Sequence, residues 1–190
     1  MQSPVIFLAR HGTPDWSMTG IRYDIAPGPP LVAQGEAEAA RLGEFFAAHG
    51  VRKVYASPLV RALRTAEIAA GVGGLPVTVV EDVAEYRRDE NDDAVFARFN
   101  PFFLRVWGEA ATSGPIAIVS HGGPVRVMLE KLGALPDALW HYRRQCDHQN
   151  PLPPAGAWRI SNDGAPGAWR MDLQFAPGAI VPYAPQTVAV

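Results

Sequence analysis

The chain alternates short, largely apolar runs with longer stretches whose apolar residues recur every three or four positions. The short runs are Val5–Ala9, Val51–Ala56, Val77–Val80 and Ile116–Ser120. A run with little polar alternation reads as a strand buried on both faces, as in a parallel sheet. Between them, Glu36 to His49 sets Ala39, Leu42, Phe45, Phe46 and His49 on one helical stripe, and Gly50 stops it. Ser57-Pro58 predicts a second helix, with Ser as N-cap and Pro at the first position, carrying Leu59, Ala62, Leu63, Ala66 and Ala70 until the glycines at 71, 73 and 74. A third helix is expected from about Pro124 to Leu132, with Gly133 as its stop. Strand and helix in alternation imply βαβ units. The expected fold is α/β, a three-layer α/β/α sandwich with a mostly parallel central sheet.

Two segments depart from this rhythm. From Asp89 to Thr112 the chain starts polar, then spaces Phe96, Phe99, Phe102, Phe103, Val106 and Trp107 as on a helix, with a break expected near Asn100-Pro101. That aromatic stripe reads as core. Farther on, Trp158-Arg159-Ile160, a turn through Asn162-Asp163-Gly164, and Trp169 to Leu173 predict an antiparallel hairpin at one sheet edge. The Pro-rich stretch after Pro177 reads as a loosely ordered tail, residues 178–190. No internal repeat is evident, and residues 1–190 are expected to form a single domain.

Composition narrows the function. With 17 Lys+Arg against 19 Asp+Glu and a net charge of −2, the chain has no basic run to suit nucleic acid. No apolar run approaches the ~18 residues of a membrane span, and no signal peptide is read at the N-terminus. The single Cys146 rules out an intramolecular disulfide or a cysteine-based zinc cluster and is expected to be a structural thiol in a reducing cytoplasm.

The chemistry gathers where the strands end. The first delivers Arg10-His11-Gly12-Thr13, the second leads through Ser57 to Arg61, Glu85 lies beyond the third, and the fourth ends in Ser120-His121-Gly122-Gly123. In a parallel sheet those ends share one edge, where ligands bind. Imidazoles, fixed cations and helix N-termini collected there suit an anion such as phosphate.

These residues resemble the histidine phosphatase superfamily, which includes cofactor-dependent phosphoglycerate mutases. Leu8 to Thr13 is similar to its Arg-His-Gly signature, and Leu31 through Gly35 to Ala39 to its helix entry. Ser57 to Ala66 resembles its second arginine motif, Val83-Ala84-Glu85 its Leu-x-Glu, and Val119 to Gly123 its second histidine motif. The resemblance implies that His11 is the nucleophile, taking the phosphoryl group as phosphohistidine, and that Glu85 is the general acid and base. Arg10, Arg61 and His121 would hold the phosphoryl oxygens, with Thr13, Ser57 and Gly122 as further phosphate contacts. Arg64 competes with Arg61 on the same helix. No metal and no cofactor are implied, because the arginines neutralise the charge. The substrate would be a small phosphorylated metabolite or a phosphoprotein. Ser17 stands where many members have Asn after Trp16, and Tyr86-Arg87-Arg88-Asp89 replaces a Gly-containing turn. The stretch from Glu85 to His121 is short beside mutases with long lids, which favours hydrolysis over phosphoryl return. A mutase and a non-catalytic phosphate-binding or protein-interaction module are the alternatives. Arg87 and Arg88 read either as solvated charges or as contacts to an anionic substrate.

Overall fold

The computed structural model describes residues 3–162 and 168–184. In chain order it contains β1 (Val5–Arg10), α1 (Ala33–Ala48), β2 (Lys53–Ala56), α2 (Val60–Gly73), β3 (Val77–Val79), α3 (Asp92–Ser113), β4 (Ile116–Ser120), α4 (Gly122–Lys131), α5 (Pro136–Arg143), β5 (Ala157–Asn162) and β6 (Trp169–Phe175). The strands form one sheet in the order β3-β2-β4-β1-β5-β6. The first four are mutually parallel, while β5 runs antiparallel to β1 and β6 antiparallel to β5. This is the α/β sandwich that the pattern predicts, with its hairpin at the edge.

Alternation along the buried strands divides the core into two layers. Ile6, Leu8, Ile116 and Ile118 point to one face, packed with Phe99, Phe103 and Val106 of α3 and with Val125 and Met128 of α4. Phe7, Ala9, Ala117 and Val119 point to the other, against Leu42 and Phe46 of α1 and the alanines of α2. Both faces are covered, so the central strands carry no polar alternation.

Four local expectations change. α1 begins at Ala33, a turn earlier than the stripe suggests. α2 begins at Val60, so Ser57 is not its N-cap; Leu59 takes that place, with no side-chain cap. α3 runs unbroken through Pro101. The ~3 kcal/mol that a mid-helix proline costs is offset by burial of Val95, Phe99, Phe102, Phe103, Val106 and Ala110 along one face. α5 was not expected, although Pro136 at its start and buried Ala138, Leu139 and Tyr142 are its signal in the sequence.

The hairpin turn expected through Asp163 and Gly164 lies outside the described residues, as do residues 185–190 of the tail. The described part of that tail lies along α5. Val181 N–H donates to Gln145 Oε1 at 2.9 Å, and Tyr183 N–H donates to the Tyr142 hydroxyl at 3.0 Å.

Candidate active site

Sheet register builds the site. Arg10 at the end of β1 lies beside Ser120 at the end of β4, so the residues that follow, His11 and His121, leave the sheet together. His11 N–H donates to Ser120 O at 3.0 Å, and the two imidazole rings lie 5.2 Å apart. Ala56 at the end of β2 pairs with Val119, which brings Ser57 to the same edge. Arg61 rises from the first turn of α2, and Glu85 follows a short 3-10 turn, Glu81–Val83, after β3.

The corner after His11 is held by close backbone packing. A Cβ on Gly12 would lie 2.5 Å from the Gly35 carbonyl, so the start of α1 approaches only because neither residue has a side chain. Gly12 N–H donates to Thr65 Oγ1 at 2.9 Å, and Thr65 Oγ1 donates to Arg61 O at 2.6 Å, which ties the corner to α2. Thr13, expected as a phosphate contact, donates its N–H at 2.8 Å and its hydroxyl at 2.9 Å to the Glu38 carboxylate of α1. Its contact is with the helix and not with His11.

His11 is fully buried. Its Nδ1 lies 2.7 Å from the Gly12 carbonyl, which can only accept, so Nδ1 carries the proton. The Nε2 lone pair is then free to accept the Arg61 Nε–H at 3.2 Å. Burial first, then the charges of Arg61 and Arg10, hold the His11 pKa well below its usual 6.5. A neutral imidazole with an available lone pair is the nucleophilic form.

His121 is buried as deeply. Its Nε2 lies 2.8 Å from Ser57 Oγ, while Nδ1 has no hydrogen-bond partner among the described residues and lies 3.6 Å from Glu85 Oε2. Burial, then Arg61, His11 and Arg10, lower its pKa in turn. Glu85 moves the other way. Burial raises its carboxyl above the usual 4.5, although the Tyr86 N–H at 3.0 Å and the Arg61 charge act against that. Arg61 NH2 reaches Glu85 Oε2 at 3.4 Å. Gly122 opens α4 pressed against the Asn150 side chain, which a Cβ would strike. Arg64 is half-exposed and paired with Glu36 at 3.0 Å, which leaves Arg61 as the arginine of the site. Ser17 is turned away too, donating its hydroxyl to Asp15 at 2.6 Å. Cys146 is half-buried, and burial pushes its thiol up to about 11.

Three residues of the site escape sequence reasoning. Asp147 grips Arg10 with both carboxylate oxygens, at 2.5 and 2.7 Å, and leaves the buried Arg10 Nε without a partner among the described residues. Tyr23 sets its hydroxyl 3.2 Å from His11 Nε2 and its ring under the Arg61 guanidinium at 3.7 Å, with Trp16 stacked on its outer face. Both lie in irregular segments where periodicity says nothing. Arg98 of α3 donates to the carbonyls of Asp82, Ala84 and Glu85 at 2.7 to 3.0 Å and pairs with Glu90, fixing the turn that presents Glu85. Its position off the aromatic stripe of α3 is the only hint in the sequence. Among the described residues no group of three or more His, Cys, Asp or Glu side chains is placed to hold a metal ion.

At the strand ends of an α/β sheet the structure thus gathers a buried imidazole, two arginines and a carboxyl of raised pKa, an arrangement whose charge suits an anion. The sequence profile of the histidine phosphatase superfamily, branch 1, matches residues 6–93 of the chain. Over 73 residues it is 36% identical to "Probable phosphoglycerate mutase GpmB" of Salmonella arizonae, covering 38% of this chain and 34% of that protein; the match in Salmonella newport is the same. The chain thus aligns with about a third of the length of these curated relatives. Among solved structures it is similar to a mycobacterial glucosyl-3-phosphoglycerate phosphatase complexed with VO3, at TM-score 0.70 and 19% identity over 92% of this chain and 99% of that one. It also resembles a phosphoserine phosphatase mutant of Entamoeba histolytica in complex with phosphoserine, at TM-score 0.65 and 17% identity over 88% and 94% of the two chains. At these identities the likeness is one of fold.

Proposed function

We propose that the protein is a metal-independent phosphomonoester hydrolase that works through a phosphohistidine on His11. The His11 Nε2 lone pair forms a bond to phosphorus as the bond to the leaving oxygen breaks, and Glu85 gives its proton to that oxygen. Glu85 then takes a proton from water, the resulting oxygen attacks phosphorus, and the N–P bond breaks to release phosphate and restore His11. Arg61, the Arg10 Nε–H and His121 stabilise the charge on the phosphoryl oxygens, where positioning and fixed charge do most of the catalysis. The observation that carries this reading is the geometry at His11. Its Nδ1 bonds to the Gly12 carbonyl, which leaves Nε2 unprotonated and facing Arg61, and Glu85, whose carboxyl burial shifts upward, lies 3.4 Å from the same arginine. The substrate is a small phosphorylated metabolite or a phosphoprotein, and the single cysteine fits a cytoplasmic setting.

The names of the Salmonella relatives favour a mutase as a second reading. Against it, most of the stretch from Glu85 to His121 is α3, which packs its aromatic face into the core and so supplies no long lid. Brief mixing with phosphorus-32-labelled substrate, followed by denaturation, should leave an acid-labile label on His11 and none in His11→Ala. Glu85→Gln should slow turnover of an alkyl phosphate about 10²- to 10⁴-fold. No label in the wild type would leave the protein a phosphate-binding module. Primer-dependent isomerisation of phosphoglycerate faster than hydrolysis would establish the mutase.

A further inference from the structure

A cavity of about 440 Å³ opens beside Glu85. Ile25, Ala26, Pro58, Leu59 and Ala84 give it an apolar part. The rest of the lining is charged. Arg22, Arg87 and Arg88 all border it, with Asp24 and Glu81 as the acids besides Glu85.

The three arginines are not equivalent. Arg22 is neutralised by Asp24, at 3.1 Å from Nε and 2.5 Å from NH2. The guanidinium groups of Arg87 and Arg88 form no hydrogen bond and no ion pair with any described residue. Glu90 accepts only the backbone N–H of Arg87, at 3.0 Å, and its carboxylate is held by Arg98 at 2.8 and 2.9 Å. Asp24 feels the charge of Arg88, but its oxygens bond to Arg22. Two cations without a bonded counter-ion therefore border a concave, partly apolar space. The same space is lined by Glu85, which the phosphatase reading makes the proton donor to the leaving oxygen. An ordinary solvated arginine projects from a convex surface, with water on all sides of its head.

Building on the phosphatase reading, we propose that this cavity receives the leaving group of the substrate, and that the leaving group carries a second anion, a carboxylate or a further phosphate, bound by Arg87 and Arg88. The cavity volume suits a body of a few carbons, and its apolar wall suits the carbon skeleton between the two charges. A guanidinium fork meets a carboxylate or a phosphate with two parallel hydrogen bonds, and both sources share that chemistry. The sequence Tyr86-Arg87-Arg88-Asp89 thus acts in specificity, while Arg10 and Arg61 act on the transferred group. A phosphomonoester with an uncharged alcohol would leave both cations unmatched and gain nothing from them.

The test compares kcat/KM of the wild type and of Arg87→Ala/Arg88→Ala. Four probes serve: p-nitrophenyl phosphate, a hexose 6-phosphate, 3-phosphoglycerate and a hexose bisphosphate. The wild type should prefer at least one of the last two over the hexose 6-phosphate by about tenfold or more. Which one it prefers tells carboxylate from phosphate. In the double variant that ratio should fall about tenfold, chiefly through KM, and added salt should lower the wild-type ratio. Arg88→Glu should reduce the ratio further, and this surface change leaves the core intact. No preference in the wild type, or a ratio unchanged in both variants, overturns the inference while p-nitrophenyl phosphate turnover leaves the phosphatase reading standing. A wild type that turns over none of the four overturns that reading and this inference with it.

Discussion

Lowering the pH should destabilise this fold in a window set by two imidazoles. His11 and His121 are fully buried, and both are held well below the ordinary histidine value of 6.5. In the unfolded chain each takes up a proton near pH 6.5, whereas the folded protein keeps both neutral well below that. The unfolded state therefore binds more protons, and stability falls as pH falls. Each proton is worth about 1.4 kcal/mol per pH unit, so across about pH 7.5 to 5.5 two histidines that titrate near 6.5 when unfolded remove up to about 3 kcal/mol. Glu85 opposes them. Its folded pKa is raised, so its contribution is fully present below the usual carboxylate value and is lost as pH rises. At most one proton is involved over those two pH units, so Glu85 can offset much of the loss, and Glu85→Gln removes that offset and exposes the effect of the histidines. The lowered carboxylates, Asp147 among them, act below pH 4 and fall outside the window. Urea unfolding at several pH values in phosphate-free buffer measures the effect, and His11→Asn should remove about 1.4 kcal/mol of it. A flat profile in Glu85→Gln over that range, or a slope that His11→Asn leaves unchanged, would refute the neutral-nucleophile argument.

Two further changes probe how the site is held. Arg98→Ala removes the donor shared by the carbonyls of Asp82, Ala84 and Glu85; it should cost about 2–4 kcal/mol in urea unfolding and reduce kcat more than KM, shifting the limb of the pH–rate profile that Glu85 controls. A structural role alone would leave that limb in place. Gly35→Ala drives a Cβ into the Thr13 carbonyl and should destabilise the fold by about 1–3 kcal/mol, read as an earlier urea midpoint.

The legibility of the chain followed periodicity. Strands buried on both faces announce themselves as apolar runs, and their parallel arrangement alone brings Arg10, His11, Ser57 and His121 to one edge. Arg61 and Arg64 compete on one helix, and the structure separates them by burial: one is enclosed, the other paired with Glu36 in solvent. Pro101 misled because a local cost was weighed without the aromatic face that outweighs it. Ser57 misled in a different way. A serine before a proline is the usual helix-opening signal, yet here the helix starts at Val60 and the hydroxyl turns to His121. Tyr23 and Asp147 were illegible for a simpler reason. Each reaches the site from an irregular segment whose path is set by tertiary packing.

Arg10 already holds an anion. A buried guanidinium with no counter-ion would cost the fold several kcal/mol, and the two-pronged grip of Asp147 removes that penalty before any substrate arrives. Asp147 behaves as a tethered competitor, present at a high effective concentration against any free carboxylate. On the phosphatase reading proposed above, a phosphoryl group would gain from Arg10 either through the open Nε–H or by exchanging with that carboxylate. The resident anion would then act as a threshold. Simple monoanions would gain little by displacing it, while a dianion that also engages Arg61 would gain more.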